Sequence, residues 1–117
     1  MATARQKHTS KMLARRYGTV GVIAGRYIEA GFSVKVFYPT RYGLIQVVAR
    51  KGGVFAIDVF DKGTVTLDAV KALHEKAKLL KAKPIVVLYG GGVEVSNEAR
   101  SYCEENGIRI RRVPRSK

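Results

Sequence analysis

Two polar side chains stand alone in a strongly apolar stretch, Leu44 to Asp61. LIQVVAR carries Gln46, VFAIDVF carries Asp58, and Lys51-Gly52-Gly53 separates the two runs. Two runs rich in β-branched residues about a short glycine break read as a β-hairpin. Paired strands bring two such side chains together at one edge of a sheet. A pair of carboxylates placed so binds Mg²⁺, which takes hard oxygen ligands and keeps several waters. One of those waters becomes the nucleophile for phosphodiester cleavage, and a nearby lysine supports the charge that develops. Here only Asp58 is a carboxylate. Gln46 offers a neutral amide oxygen, a poorer ligand, and Phe60 can act neither as a base nor as a cation. The structural alternative is that Gln46 and Asp58 are outward-facing strand residues.

The charge points to a partner. The chain of 117 residues has a formal net charge of +13. Residues 1–16 hold Arg5, Lys7, Lys11, Arg15 and Arg16 with no acid. Residues 109–117 hold Arg109, Arg111, Arg112, Arg115 and Lys117, again with no acid. Residues 17–108 are close to neutral, with 12 basic and 9 acidic side chains. Two basic ends on a near-neutral core fit a polyanion, nucleic acid before an anionic membrane surface. No apolar run approaches the roughly 18 residues that span a bilayer, and no apolar segment follows the basic N-terminus as a secretory signal requires. The single cysteine, Cys103, excludes an internal disulfide and suits a reducing cytoplasm. With two histidines beside it, it cannot build a closed zinc site without carboxylates.

The elements that must position these residues follow from periodicity. Residues 1–9 read as a mobile basic arm, and Ser10 as the cap of a helix holding Lys11 to Arg16. Val20, Ile23, Ala24, Tyr27 and Ile28 share one helical face. Gly18, Gly21 and Gly25 weaken that helix by roughly 1 kcal/mol each relative to alanine, which close approach to a sheet or a backbone would offset. Gly31 ends it. FSVKVFY is a strand with Phe32, Val34, Val36 and Tyr38 on one face. After a loop at residues 39–43 come the Leu44–Arg50 and Val54–Phe60 strands, then a turn at Asp61-Lys62-Gly63. Thr66 caps a long helix with Leu67, Val70, Leu73, Ala77 and Leu80 inward and Lys71, His74, Lys78 and Lys81 outward. Ile85 to Leu88 is a strand buried on both faces. Ser96 caps a last helix that ends at Gly107, and Ile108 and Ile110 begin a final strand. The order α-β-β-β-α-β-α-β gives a meander, then a crossover to a parallel neighbour.

Other features carry less. Gly90-Gly91-Gly92 follows a strand but lacks the Gly-Lys-Ser/Thr ending of a phosphate loop. His74 reads as a solvated residue and Cys103 as a buried structural thiol. Tyr17, Arg41 and Tyr42 suit base stacking or phosphate contact, or equally local ring packing.

At Gln46 and Asp58 the chain resembles the restriction-endonuclease-like superfamily, nearest to archaeal-type Holliday junction resolvases and Mrr-like domains. LIQVVARKGGVFAIDVF takes the place of the family's Asp and Glu-x-Lys strands, Gly31-Phe32 opens the first strand, and VEVSNEARSYCEENGIRI is similar to the closing helix and strand of Mrr-like domains. The resemblance covers residues 17–113, between a basic N-terminal arm at 1–16 and a basic tail at 114–117. It implies an α/β, three-layer restriction-endonuclease-like fold: a mixed five-stranded sheet with helices on both faces. The family's metal-binding Asp is here Gln46, its Glu-x-Lys is Asp58-Val59-Phe60, and the resolvases' helical glutamate falls near Val20. Only Asp58 keeps the chemistry, and Lys62 is the one nearby substitute for the lysine. The expectation is a non-catalytic nucleic-acid-binding protein without a cofactor, in a ribonucleoprotein or chromatin assembly in the cytoplasm of an archaeal-type cell. DNA and RNA are both open. Arg5, Lys7, Lys11, Arg15, Arg16, Arg41, Tyr42, Arg109, Arg111, Arg112 and Arg115 would bind. The alternatives are a Mg²⁺-dependent, structure-selective endonuclease using Asp58 with Gln46, and an inactive subunit beside an active paralogue. Resolvases act as dimers, which implies a homodimer as one form.

Overall fold

The computed structural model of the protein describes residues 2–115. In chain order the elements are α1 (Ala4–Tyr17), α2 (Thr19–Glu29), β1 (Ser33–Thr40), β2 (Gly43–Arg50), β3 (Val54–Phe60), β4 (Gly63–Val65), α3 (Leu67–Leu79), β5 (Lys83–Tyr89), β6 (Val93–Val95), α4 (Asn97–Asn106) and β7 (Arg109–Val113). Five strands form one mixed sheet in the order β1-β2-β3-β5-β7, antiparallel through β3 and parallel from there. The hairpin and the crossover are as the sequence predicts, and β3 lies at the centre of the sheet.

Alternation along the strands sorts the core into two layers. Val47, Ala49, Ile57, Val59, Val87 and Tyr89 pack with Ile23 and Ala24 of α2. Val48, Ala56, Val86 and Leu88 pack with Val70, Leu73 and Ala77 of α3 and with Ala99 and Cys103 of α4. Helices thus cover both faces. Thr66 and Ser96 cap α3 and α4 through their hydroxyls, and Gly107 ends α4 in the left-handed conformation. Cys103 is 1% exposed, the structural thiol expected, and burial pushes its pKa up.

The first helix corrects the boundary at Ser10. Thr3 and Gln6 form a reciprocal capping box, with the Gln6 N–H donating to Thr3 Oγ1 at 3.1 Å and the Thr3 N–H to Gln6 Oε1 at 2.8 Å. Two orphan donors are satisfied at once, so the helix starts at Ala4 and Ser10 falls inside it. There Ser10 faces Gly25, while the Leu13 carbonyl faces Gly21; a Cβ at either glycine would overlap those atoms. The glycines let α1 lie directly on α2, the close backbone approach that offsets their poor helix propensity.

Three further differences matter. Gly63–Val65 is not only a turn: it pairs in parallel with Val93–Val95 as a separate two-stranded sheet. His74 is half-buried and bonded: its Nδ1 is 2.7 Å from Tyr102 Oη, which joins α3 to α4. The face of β1 changes within the strand. Val34 and Val36 pack on the α2 side, but Tyr38 packs on the α3 side. On β2, Ile45 lies on the α3 side and Val47 on the α2 side. The switch falls at one rung. Val36 pairs with Val47 and Tyr38 with Ile45, but Phe37 and Gln46 between them do not pair, and Phe37 has φ +49°. Each strand carries one extra residue there, so both change face and keep register. Among the described residues no helix is long and apolar enough to cross a membrane. Of the predicted basic tail, Ser116 and Lys117 lie outside the described residues.

Candidate nucleic-acid interface and its buried carboxylate

The β2–β3 ladder runs from Arg50↔Val54 to Val47↔Ile57 and then stops. Beyond it side chains join the strands. Gln46 Oε1 accepts the Val59 N–H at 2.6 Å, and Asp58 Oδ1 accepts the Gln46 N–H at a long 3.4 Å. From α3, Lys76 Nζ donates to the Leu44 carbonyl at 2.8 Å and stands 4.0 Å from Asp58 Oδ2. The two residues first singled out are therefore brought together, but not as outward-facing or water-exposed side chains. Asp58 is only 8% exposed. Burial raises its carboxyl above the ordinary 3.8, against the pull of the Lys76 charge and the Gln46 N–H.

The donor set does not fit a resident Mg²⁺. The Gln46 oxygen is taken by the Val59 N–H, and the Asp58 oxygens face the Gln46 N–H and Lys76. No group of three His, Cys, Asp or Glu side chains suited to a metal occurs among the described residues. Mg²⁺ dehydrates reluctantly and needs more hard oxygen than one engaged carboxylate supplies. What the arrangement does is hold the splayed end of β2 and β3 together around a buried charge.

Lys76 was missed in the sequence. It lies three residues after Leu73, at the edge of the buried stripe, and is long enough to reach the Leu44 carbonyl and Asp58. A lysine there reads as solvated unless its length is counted. Lys62, the expected substitute, lies in the exposed turn after β3. The Thr19 hydroxyl donates to Asp61 Oδ2 at 3.1 Å, which ties the start of α2 to the end of β3. Val20 is half-buried against the α2-side core.

The predicted binding residues do not form a single cluster. The strand directions put the carboxyl ends of β3, β5 and β7 beside the β1–β2 turn and the start of α2. Arg15, Arg16, Arg41, Tyr42 and Arg115 lie at that end. Arg16 stacks over Tyr17, Arg41 over Tyr42 and Arg115 over Tyr89, with 5.5, 5.5 and 5.0 Å to the ring centroids. Arg5 and Lys7 sit at the other end of α1, and Lys11 midway along it. Arg109 and Arg111 are exposed on the edge strand β7. Arg111 and Arg26 flank a groove of about 190 Å³ floored by Ile23, Val87 and Val113. Arg112 is exposed but engaged: its guanidinium donates to the carbonyls of Gly90 at 2.6 Å and Val93 at 2.9 Å, which fastens the triple-glycine loop.

No protein-family model matches the chain, and no curated protein matches it by sequence. Solved structures do. A repair endonuclease from Pyrococcus abyssi superposes on 99% of this chain with a TM-score of 0.64 at 17% identity. An EndoMS–dsDNA2 complex covers 100% with a TM-score of 0.62 at 18% identity. The chain has the restriction-endonuclease-like fold. It spans about half the length of those two proteins, 49% and 48%. In this restriction-endonuclease-like domain Gln46 and Asp58 sit where the central antiparallel strands part, at the carboxyl end of the parallel strands.

Proposed function

We propose that this chain binds nucleic acid on a nuclease-like fold without cutting it. The observation that carries the reading is the state of Asp58. It is a single buried carboxylate, engaged by the Gln46 N–H and Lys76, beside a glutamine whose oxygen already accepts a backbone donor. Around that same end stand Arg15, Arg16, Arg41 and Arg115. Surface arginines can neutralise phosphates without a metal, and the release of counterions supplies sequence-independent affinity. The EndoMS–dsDNA2 complex supports a nucleic-acid partner for this fold. A structural place in a ribonucleoprotein or chromatin assembly, alone or as a homodimer, is the finer form of the reading.

One observation favours the endonuclease alternative: Lys76 puts a cation beside Asp58. Both readings meet in one experiment. Wild type and Asp58→Asn are incubated with labelled four-way junction, duplex and RNA hairpin, with Mg²⁺ or Mn²⁺, and both binding and cleavage are read. Salt-sensitive binding by both proteins without cleavage is the expected result. Cleavage by wild type that vanishes in Asp58→Asn would establish the endonuclease, and the absence of binding to all three would end the proposal.

A further inference from the structure

Phe37 is placed against the grain of stability. Its φ of +49° is a left-handed conformation in which a bulky residue is an outlier, and such a residue persists only where the surroundings hold it. Burial gives little in return, because Phe37 remains 38% exposed. Its ring centroid is 5.4 Å from that of Tyr17 at an interplanar angle of 59°, and Arg16 lies over the Tyr17 ring. Farther along the same hairpin, Tyr42 and Leu44 are 59% and 52% exposed, with Arg41 over Tyr42. Lysine and arginine outnumber acids in the sequence that carries these rings, although Asp61 accepts from the Thr19 hydroxyl two residues after Tyr17. Between Met1 and Ile57 there are ten Lys and Arg residues and one acid, Glu29.

We infer that Phe37, backed by Tyr17 and flanked by Arg16 and Arg41, is a stacking platform for an unpaired nucleobase. The substrate class is then nucleic acid with at least one base outside a helix, DNA or RNA, rather than plain duplex. This rests on the proposed nucleic-acid binding. Every base offers a π-face to an aromatic ring, whatever its sequence, and arginines at the rim hold the adjoining phosphates.

The test uses two oligonucleotides of equal length, one fully paired and one with a single bulged 2-aminopurine, each as DNA and as RNA. Anisotropy gives affinity, and 2-aminopurine fluorescence reports stacking. Wild type should prefer the bulged form by roughly 5- to 150-fold, the range that base–aromatic stacking provides, with quenching. Phe37→Ala should lose the preference and the quenching while its affinity for the paired form stays within about twofold, and Phe37→Tyr should restore both. Phe37→Gly, which suits a left-handed φ, should lose the preference and melt no lower than wild type; it separates loss of the ring from loss of the fold. Equal, salt-sensitive binding of both forms by wild type would overturn the platform and leave the proposed function standing. An equal loss on both forms in Phe37→Gly would reduce Phe37 to a packing residue. Failure to bind either form, or ring-dependent binding to phosphatidylserine vesicles in its place, would overturn both.

Discussion

Asp58 sets the chemistry at the scale of the residue. Its folded pKa is raised, so over the window from 3.8 upward the folded state holds a proton that the unfolded chain gives up. The group's contribution to stability therefore declines as pH rises through that window, and above the raised folded pKa the whole cost of burying the charge is in force. Asp58→Asn keeps the acceptor for the Gln46 N–H and removes the charge. Its melting temperature relative to wild type should rise between about pH 4 and about pH 7, as thermal melts across that range would measure. The sequence made the pair Gln46 and Asp58 legible, because polar residues in apolar strands are conspicuous. It hid their surroundings. Whether a strand residue faces water depends on what packs above it, and the side chain that does so, Lys76, comes from a helix 18 residues further on.

At the scale of elements the α1–α2 contact is the feature most open to test. Alanine at Gly21 or Gly25 improves helix propensity by about 1 kcal/mol. Each Cβ, however, would meet the backbone at Leu13 or the Ser10 side chain, and overpacking typically costs 1–3 kcal/mol. Both variants should melt below wild type, and Gly21→Ala further, since backbone yields less than a serine hydroxyl. The glycines signalled close approach in the sequence, but nothing there named α1 as the partner. The helix start was legible in principle, since Thr3 and Gln6 have capping-box spacing. The strands β4 and β6 were not: three residues each, with Gly63 at one end, carry no usable period. The change of face in β1 was hidden too, because Val34, Val36 and Tyr38 keep in sequence an apolar alternation that the backbone breaks at Phe37.

For the whole molecule, sheet order followed from connection lengths: short links make the meander, and the helix-sized link makes the parallel neighbour. β3 is accordingly central, and Ile57 is fully buried between β2, β5 and α2. Ile57→Asp puts an unpaired charge there and should cost roughly 3 kcal/mol or more, visible as a large fall in the denaturant midpoint. Charge operates at this scale as well. If Arg15, Arg16 and Arg41 each neutralise a phosphate, replacing all three by alanine should reduce the slope of log affinity against log salt by about 2.7. An unchanged slope would place the interface elsewhere, with Arg109 and Arg111 of β7 the next candidates. Composition pointed to a polyanion; the folded chain divides its cations between two ends and an edge, and binds the Arg112 guanidinium to the glycine loop.

The unpaired rung of Phe37 and Gln46 has a consequence for changes in chain length. Without these two residues the neighbours Val36, Tyr38, Ile45 and Val47 would alternate as in a plain antiparallel ladder. Deleting Phe37 alone, or Gln46 alone, leaves one strand a residue longer than its partner, and everything toward the turn must slip or bulge. Deleting both removes the mismatch. The single deletions should each lower the melting temperature substantially, and the double deletion should recover most of that loss. Two lesions that are worse apart than together would mark the rung, with Asp58 behind it, as a paired insertion in an otherwise regular hairpin.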